Sequence, residues 1–196
     1  MRTEVSVPDS GSRTRQAPAP PPGGVGAEVF RRALAHCAAG VVVVTTGARP
    51  AGFTASSFTS VSMSPPLVSF CVDKYAGCWG RLRTAETFTV NVLTDTQQAL
   101  AARFAARGVD RFAPPTRWRH GPDGAVLLDA AAAHLQCRRH AVLPLGDHFL
   151  VVGLLVAVHA GTSAPPLLYH GGRYGRFTTL ESAVPPVPEA DERRSR

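Results

Sequence analysis

Gly52-Phe53-Thr54-Ala55-Ser56-Ser57-Phe58-Thr59-Ser60-Val61-Ser62-Met63-Ser64-Pro65-Pro66-Leu67-Val68 decides how this chain is read. Seven hydroxyl side chains (Thr54, Ser56, Ser57, Thr59, Ser60, Ser62 and Ser64) stand in a run that otherwise looks like a buried strand. Short hydroxyls beside closely approaching backbone N–H groups suit a flat polar heterocycle and a phosphate. The competing reading is a Ser/Thr-rich edge strand whose hydroxyls bond only to backbone or water.

Working outward, Arg49-Pro50-Ala51-Gly52 predicts a turn, Phe53–Val61 a strand, and Pro65-Pro66 its end. Leu67–Val72 is the next strand, and the β-branched run Val41–Thr46 precedes the turn. Upstream, Phe30, Ala33, Leu34 and Cys37 have helical spacing, so Glu28–Cys37 predicts a helix that Gly40 ends. Trp79–Arg83 reads as a short helix, Thr87–Leu93 as a strand, and Thr96–Ala106 as a helix capped by Thr94 or Asp95. Residues 113–124 hold three prolines and two glycines and predict a long surface loop. Ala133–Val142 and Phe149–His159 read as paired strands, and Leu167–Thr179 holds one or two more. Six or seven short strands with few helices predict a mainly β chain arranged as a barrel. Residues 1–26 and 181–196, rich in Pro, Gly and charge, predict a disordered tail and a flexible C-terminal tail around a domain over 27–180.

The 196 residues carry a net charge of +7 and a sequence pI of about 10.0, which favours anionic partners. Lys74 is the only lysine among 21 basic residues. No basic run with interleaved aromatics is present, so phosphorylated cofactors are better supported than nucleic acid. The four cysteines (Cys37, Cys71, Cys78, Cys137) lack the close-set pairs of a zinc site, and no metal is expected. Cys137 and His140 are three apart, an offset that places them on opposite faces of a strand. No stretch reaches the roughly 18 apolar residues of a membrane helix, and no secretory core is seen at the N-terminus. The expectation is a soluble, cytoplasmic protein that binds neither membrane nor nucleic acid.

The stretch at 52–68 resembles the signature of the flavin reductase family with the FMN-binding split-barrel fold. The resemblance continues in order through Ala39–Thr46, Phe88-Thr89-Val90-Asn91-Val92-Leu93, Arg103-Phe104-Ala105, Asp110-Arg111-Phe112, Gly146-Asp147-His148-Phe149 and Gly171-Gly172-Arg173-Tyr174. It covers about residues 28–177. It implies a six-stranded Greek-key split β-barrel with a few short peripheral helices. It also implies an NAD(P)H:flavin oxidoreductase, with FMN or FAD reduced by NADH or NADPH. A homodimer and a partner flavin-dependent monooxygenase are implied as well.

Carried onto this chain, the resemblance places Thr54, Ala55, Ser56 and Ser57 along the flavin ring and ribityl chain, with Ser60 in the same cofactor-binding segment. Ser62 falls where the flavin phosphate is contacted. Cys71, Val72, Asp73 and Lys74 form the next cofactor segment, and Lys74 offers a compact charge to a phosphate. Phe104, Ala105, Arg111 and Phe112 flank the flavin, although core packing explains the two phenylalanines equally well. Tyr75-Ala76-Gly77-Cys78 stands where many members carry a hydroxyl residue, which removes a bond worth about 0.5–1.5 kcal/mol. His148 is the expected catalytic residue beside the nicotinamide, against the alternative of a turn histidine bonded to Asp147, and Tyr174 is a second nicotinamide contact. Two other readings share the scaffold. One is a flavoenzyme holding flavin as a prosthetic group and acting on its own substrate. The other is a non-catalytic flavin or haem binder.

Overall fold

Val41–Val44 is buried on both sides, and the fold is organised around that run. In the computed structural model, residues 23–47 and 49–180 are described. The expected tails therefore lie outside the described residues, apart from 23–26. The chain divides into two units, Met1–Cys37 and Ala38–Arg196. The first contains helix α1 (Ala27–Leu34), none of whose residues is buried.

The second unit contains strands β1 (Ala39–Gly40), β2 (Val42–Thr46), β3 (Ala51–Ala55), β4 (Thr59–Met63), β5 (Pro66–Asp73) and β6 (Thr87–Val92). After these come β7 (Trp118–His120), β8 (Val126–Leu128), β9 (Ala133–Leu145), β10 (His148–Ala160), β11 (Leu167–His170) and β12 (Arg173–Arg176). Helix α2 (Trp79–Leu82) follows β5, and α3 (Gln98–Ala105) follows β6. Seven strands form one antiparallel sheet in the order β3-β2-β6-β9-β10-β5-β4. β1, β11 and β12 form a second sheet, and β7 pairs with β8.

The main sheet is strongly curled, because β3 and β4 lie at its opposite edges yet only Ser56, Ser57 and Phe58 join them. A chain from Ala55 to Thr59 spans at most about 14 Å. A flat sheet of this order would hold its edges roughly 29 Å apart. The curl brings Phe53 of β3 onto Phe70 of β5 at 5.9 Å between ring centres, and Phe70 meets Phe88 of β6 edge-on at 5.2 Å. Val42, Ala55, Phe70, Val90, Cys137 and Val151 share this core, one from each of six strands. The odd-numbered Val41 and Val43 point the other way, into a second core with Leu93, Phe104, Leu128 and Leu167. Burial of both faces explains the uninterrupted valine run.

The structure departs from sequence expectation at several points. The predicted strand Phe53–Val61 is two strands, because its halves pair with different neighbours, β2 and β5. The first helix stops at Leu34, and Gly40 instead pairs with Leu168. The loop expected over 113–124 contains β7, anchored where the Trp118 indole N–H donates to Phe112 O at 3.1 Å. Of the two cap candidates, Thr94 serves: its N–H donates to Gln97 Oε1 at 3.0 Å. The pairing of Ala133–Val142 with Phe149–His159 is present and extends to a two-residue turn, Gly146-Asp147. Gly146 takes φ of +53° at the first turn position, where a primed hairpin turn favours glycine.

A polar network crosses between the sheets. Asn91 donates to Val43 O and Thr45 Oγ1, each at 3.0 Å, and its Oδ1 accepts from Leu128 N at 2.9 Å. The same oxygen lies 2.9 Å from His134 Nδ1, so Nδ1 carries the proton. Burial lowers the His134 pKa, aided by Arg119 and by its cross-strand partner His159, and opposed by Asp129. A native pKa below the unfolded value of about 6.5 means that the unfolded chain protonates first as pH falls. Stability is expected to decline as pH drops below about 6.5. Thermal melts from pH 8 to 5 check this: His134→Gln should flatten the slope over that window, and an unaltered slope would exclude His134 as its source.

Candidate functional site

The three-residue crossing that closes the curled sheet also floors a cleft of about 680 Å³. Thr54, Ala55, Ser56 and Ser57 line it from β3 and the crossing, and Cys71 and Asp73 line it from the end of β5. The loop Tyr75–Cys78 forms one wall. Phe104, Ala105 and Arg111 form another, and His148 reaches in from the β9–β10 hairpin. Residues from five separate sequence blocks thus meet at one opening.

The hydroxyls divide into structural and free ones. Thr54 donates to Ala101 O at 2.6 Å, tying β3 to α3. Ser57 Oγ accepts from Cys71 N at 2.9 Å and so fastens the crossing to β5. For these two the modest reading of the hydroxyls, bonding to backbone, describes what is seen. Ser56 is exposed in the cleft and makes no hydrogen bond among the described residues. Gly52 accounts for the tight approach beneath: a Cβ there would lie 2.7 Å from Val44 O and 3.1 Å from the Phe104 ring.

Arg103 and Arg111 brace the segment that carries the second wall. Arg103 Nη2 donates to Asp110 O at 2.6 Å. Arg111 donates from Nη2 to Ala106 O at 2.7 Å and from Nη1 to Gly52 O at 2.9 Å. The two sequence blocks Arg-Phe-Ala and Asp-Arg-Phe are therefore halves of one reciprocal clamp. Arg111 Nε is buried and has no hydrogen-bond partner among the described residues.

His148 is half-exposed, and its Nδ1 lies 2.7 Å from Asp147 Oδ1. That hydrogen bond, with backbone and charge contributions, holds the Asp147 carboxyl below the usual carboxylate range. Asp147 thus stays ionised and accepts from Nδ1–H, which leaves Nε2 with no partner among the described residues. Burial raises the Cys78 thiol pKa, with Arg111 opposing only in part, so Cys78 is a neutral thiol and not a nucleophile.

Other residues singled out in the sequence lie elsewhere. Ser60 and Ser62 are on edge strand β4, outside the cleft lining. The Val72 side chain is in the main core. Lys74 Nζ donates to Gly146 O at 2.6 Å and sits 5.4 Å above the Phe149 ring. It stabilises the hairpin that bears His148, a role that its charge alone did not suggest. Phe112 stacks edge-on between Phe104 and Trp118, and Tyr174 packs against the second core. Conversely, Phe53, Arg107, Gly108 and Val109 line the cleft without having been singled out. For Arg107, Gly108 and Val109 the position between the two Arg-bearing blocks is the available signal.

Comparison with known proteins agrees with this geometry. The family described as "Flavin reductase like domain" matches residues 34–178. The chain belongs to the flavin reductase family. An NADH:FMN oxidoreductase of Rhodococcus qingshengii is 41% identical over 163 residues, covering 80% of this chain and 85% of the relative. The reductase subunit HsaB of a flavin-dependent monooxygenase from Rhodococcus jostii (strain RHA1) is 35% identical over 147 residues, covering 74% and 75%. Among solved structures, the Streptomyces globisporus C-1027 NADH:FAD oxidoreductase SgcE6, in complex with NAD and FAD fragments, aligns with a TM-score of 0.75 at 38% identity. That alignment covers 85% of this chain and all of the other. Among the described residues, no helix of this flavin reductase family member is long and apolar enough to cross a membrane.

Proposed function

We propose that this protein reduces free FMN or FAD with NADH and passes the reduced flavin to a partner flavin-dependent monooxygenase. The carrying observation is the cleft itself: it is open, has a cationic rim of Arg107 and Arg111, presents a free Ser56 hydroxyl, and is overlooked by His148. Its volume lies in the usual range for ligand sites, about 300–1,000 Å³. When both cofactors are bound, the nicotinamide and flavin supply the hydride chemistry themselves. The chain's part is to orient and to neutralise charge. Ser56 and the backbone of Ala55 and Ser56 offer hydrogen bonds to a polar ring edge, and Arg107 and Arg111 offset anionic charge. His148 presents Nε2 as an acceptor for a carboxamide N–H. The exposure of Ser56, Ser57, Tyr75, Gly77 and Ala105 favours a flavin that comes and goes over one held permanently.

Two finer readings accompany this one. Six of the seven strands of the curled sheet make a Greek-key split barrel, a reading supported by their sharing one core. The protein works in the cytoplasm and as a homodimer, the latter supported by exposed apolar side chains on the sheet, among them Met63 at 90% and Val158 at 58%. Light scattering checks the homodimer. The activity is tested by mixing purified protein with NADH and excess FMN or FAD without oxygen. Nicotinamide and flavin absorbance should fall together; consumption no faster than a protein-free blank would overturn the assignment.

A further inference from the structure

His148 and Phe149 are consecutive on β10, so their side chains point to opposite faces of the sheet. His148 faces the cleft, and Phe149 packs against the main core. Any tilt of Phe149 therefore moves the imidazole. The strand ladder fixes that tilt only weakly. His148 faces Asp73 in the end pair that β10 forms with β5, and on the other flank β6 ends opposite Arg138. Beyond the bond from Arg139 N to Glu86 O at 2.8 Å, residues 140–145 of β9 have β10 as their one neighbouring strand among the described residues. Ladder hydrogen bonds set spacing within a sheet, whereas a two-stranded end keeps freedom to twist. Contacts on the Phe149 ring remove that freedom. Trp79 stacks on it with ring centres 4.2 Å apart and planes 17° apart, and Lys74 Nζ lies 5.4 Å from its centre. Trp79 is also the first residue of α2, and its N–H donates to Ala76 O at 2.9 Å, within the Tyr75–Cys78 wall. One residue thus joins a wall of the cleft to the hairpin that overlooks it.

We infer that Trp79 is a positioning residue: by stacking on Phe149 it sets where the His148 imidazole stands over the cleft. The inference rests on the flavin reductase reading and on the part that reading gives His148. Trp79 is not among the residues lining the cleft, so it acts through the hairpin. Its main-chain bond to Ala76 survives any substitution other than proline, which leaves the wall in place. What a smaller side chain removes is the hold on Phe149, while Lys74 still ties the hairpin tip through Gly146 O. The effect is therefore a part of that expected for removing His148.

The test is a double-mutant cycle in the full-length protein: wild type, Trp79→Ala, His148→Ala and the double variant, with Trp79→Phe and Phe149→Leu beside them. Flavin affinity is read by fluorescence titration, and kcat and KM for NADH are read with saturating FMN at equal folded concentration. Trp79→Ala should lower kcat about tenfold and leave flavin affinity within about twofold, a smaller loss than the roughly 10² that about 1 Å of misplacement can bring. In the His148→Ala background the same substitution should change kcat by less than about twofold, because the group it positions is gone. Trp79→Phe keeps an aromatic face and should recover most of the rate. Phe149→Leu cuts the stack from the other side and replaces Trp79→Ala in the cycle if that variant does not fold. Equal losses in both backgrounds, a fall in flavin affinity that matches the fall in kcat, or a Trp79→Ala kcat within about twofold of wild type would overturn the inference. A His148→Ala variant as fast as wild type would instead defeat the role of His148, and a wild type that turns over no flavin would defeat the function; either takes the inference with it.

Discussion

His148→Ala should bind FMN or FAD with nearly unchanged affinity and oxidise NADH about a hundredfold more slowly. The separation follows from where the imidazole stands. It reaches the cleft from the hairpin tip, whereas the floor and walls come from β3, β5 and the 104–111 segment. Removing it leaves Ser56, Arg107 and Arg111 in place. What disappears is an acceptor nitrogen held in one tautomer by an ionised carboxylate 2.7 Å from Nδ1. The hairpin is itself pinned by Lys74 Nζ on Gly146 O and by Lys74 N on Asp147 O at 3.1 Å. Such preorganisation is worth having only if the group it positions acts on the reacting pair, and misplacement by about 1 Å can lower a rate by about 10². Flavin titration by fluorescence and steady-state NADH oxidation check the two halves. A variant with wild-type kcat and KM for NADH would remove His148 from the mechanism. Loss of flavin binding in parallel with rate would make it a flavin contact only.

Much of the candidate site is legible because the cleft is built from contiguous blocks. Thr54-Ala55-Ser56-Ser57 and Gly-Asp-His each keep their local order in space. Hydroxyl assignment was not legible. Thr54 and Ser57 have the same local chemistry as Ser56, yet the first is taken by Ala101 O and the second by Cys71 N. Those partners are set by the curl of the sheet, a tertiary property that no local pattern encodes. Lys74 shows the same limit. A lone lysine beside a phosphate-like segment invites an electrostatic reading, but its ammonium lies against a carbonyl across the hairpin. The split of 53–61 into two strands shows in the sequence only as a lapse of alternation at Ser56-Ser57, and it is the choice of neighbours that separates β3 from β4. β7 is not legible in the sequence, because three residues amid prolines and glycines carry too little periodicity.

Asn91→Ala should be the most damaging single substitution for stability, lowering it by about 3–5 kcal/mol. In the sequence Asn91 is simply the polar member of Phe88-Thr89-Val90-Asn91-Val92-Leu93. In the structure its fully buried amide bonds residues 43, 45, 128 and 134. Truncation orphans two buried donors, Leu128 N–H and His134 Nδ1–H, at about 1–3 kcal/mol each, and leaves a void between the cores. Water cannot easily repair the loss, because Val43, Thr45, Leu128 and His134 are themselves buried. Thr45 keeps its own donation to Val126 O at 2.6 Å, so that end of the network survives. With about 2–4 °C of melting temperature per kcal/mol for a domain of this size, the midpoint should fall by roughly 6–20 °C. Asn91→Asp separates donor from acceptor loss: it preserves an oxygen for Leu128 N and His134, but turns a carboxylate onto Val43 O. It should also favour a protonated His134, raising its native pKa towards the unfolded value and so shrinking the loss of stability below about pH 6.5. A midpoint for Asn91→Ala within about 3 °C of wild type would mean that the amide network holds little of the fold together.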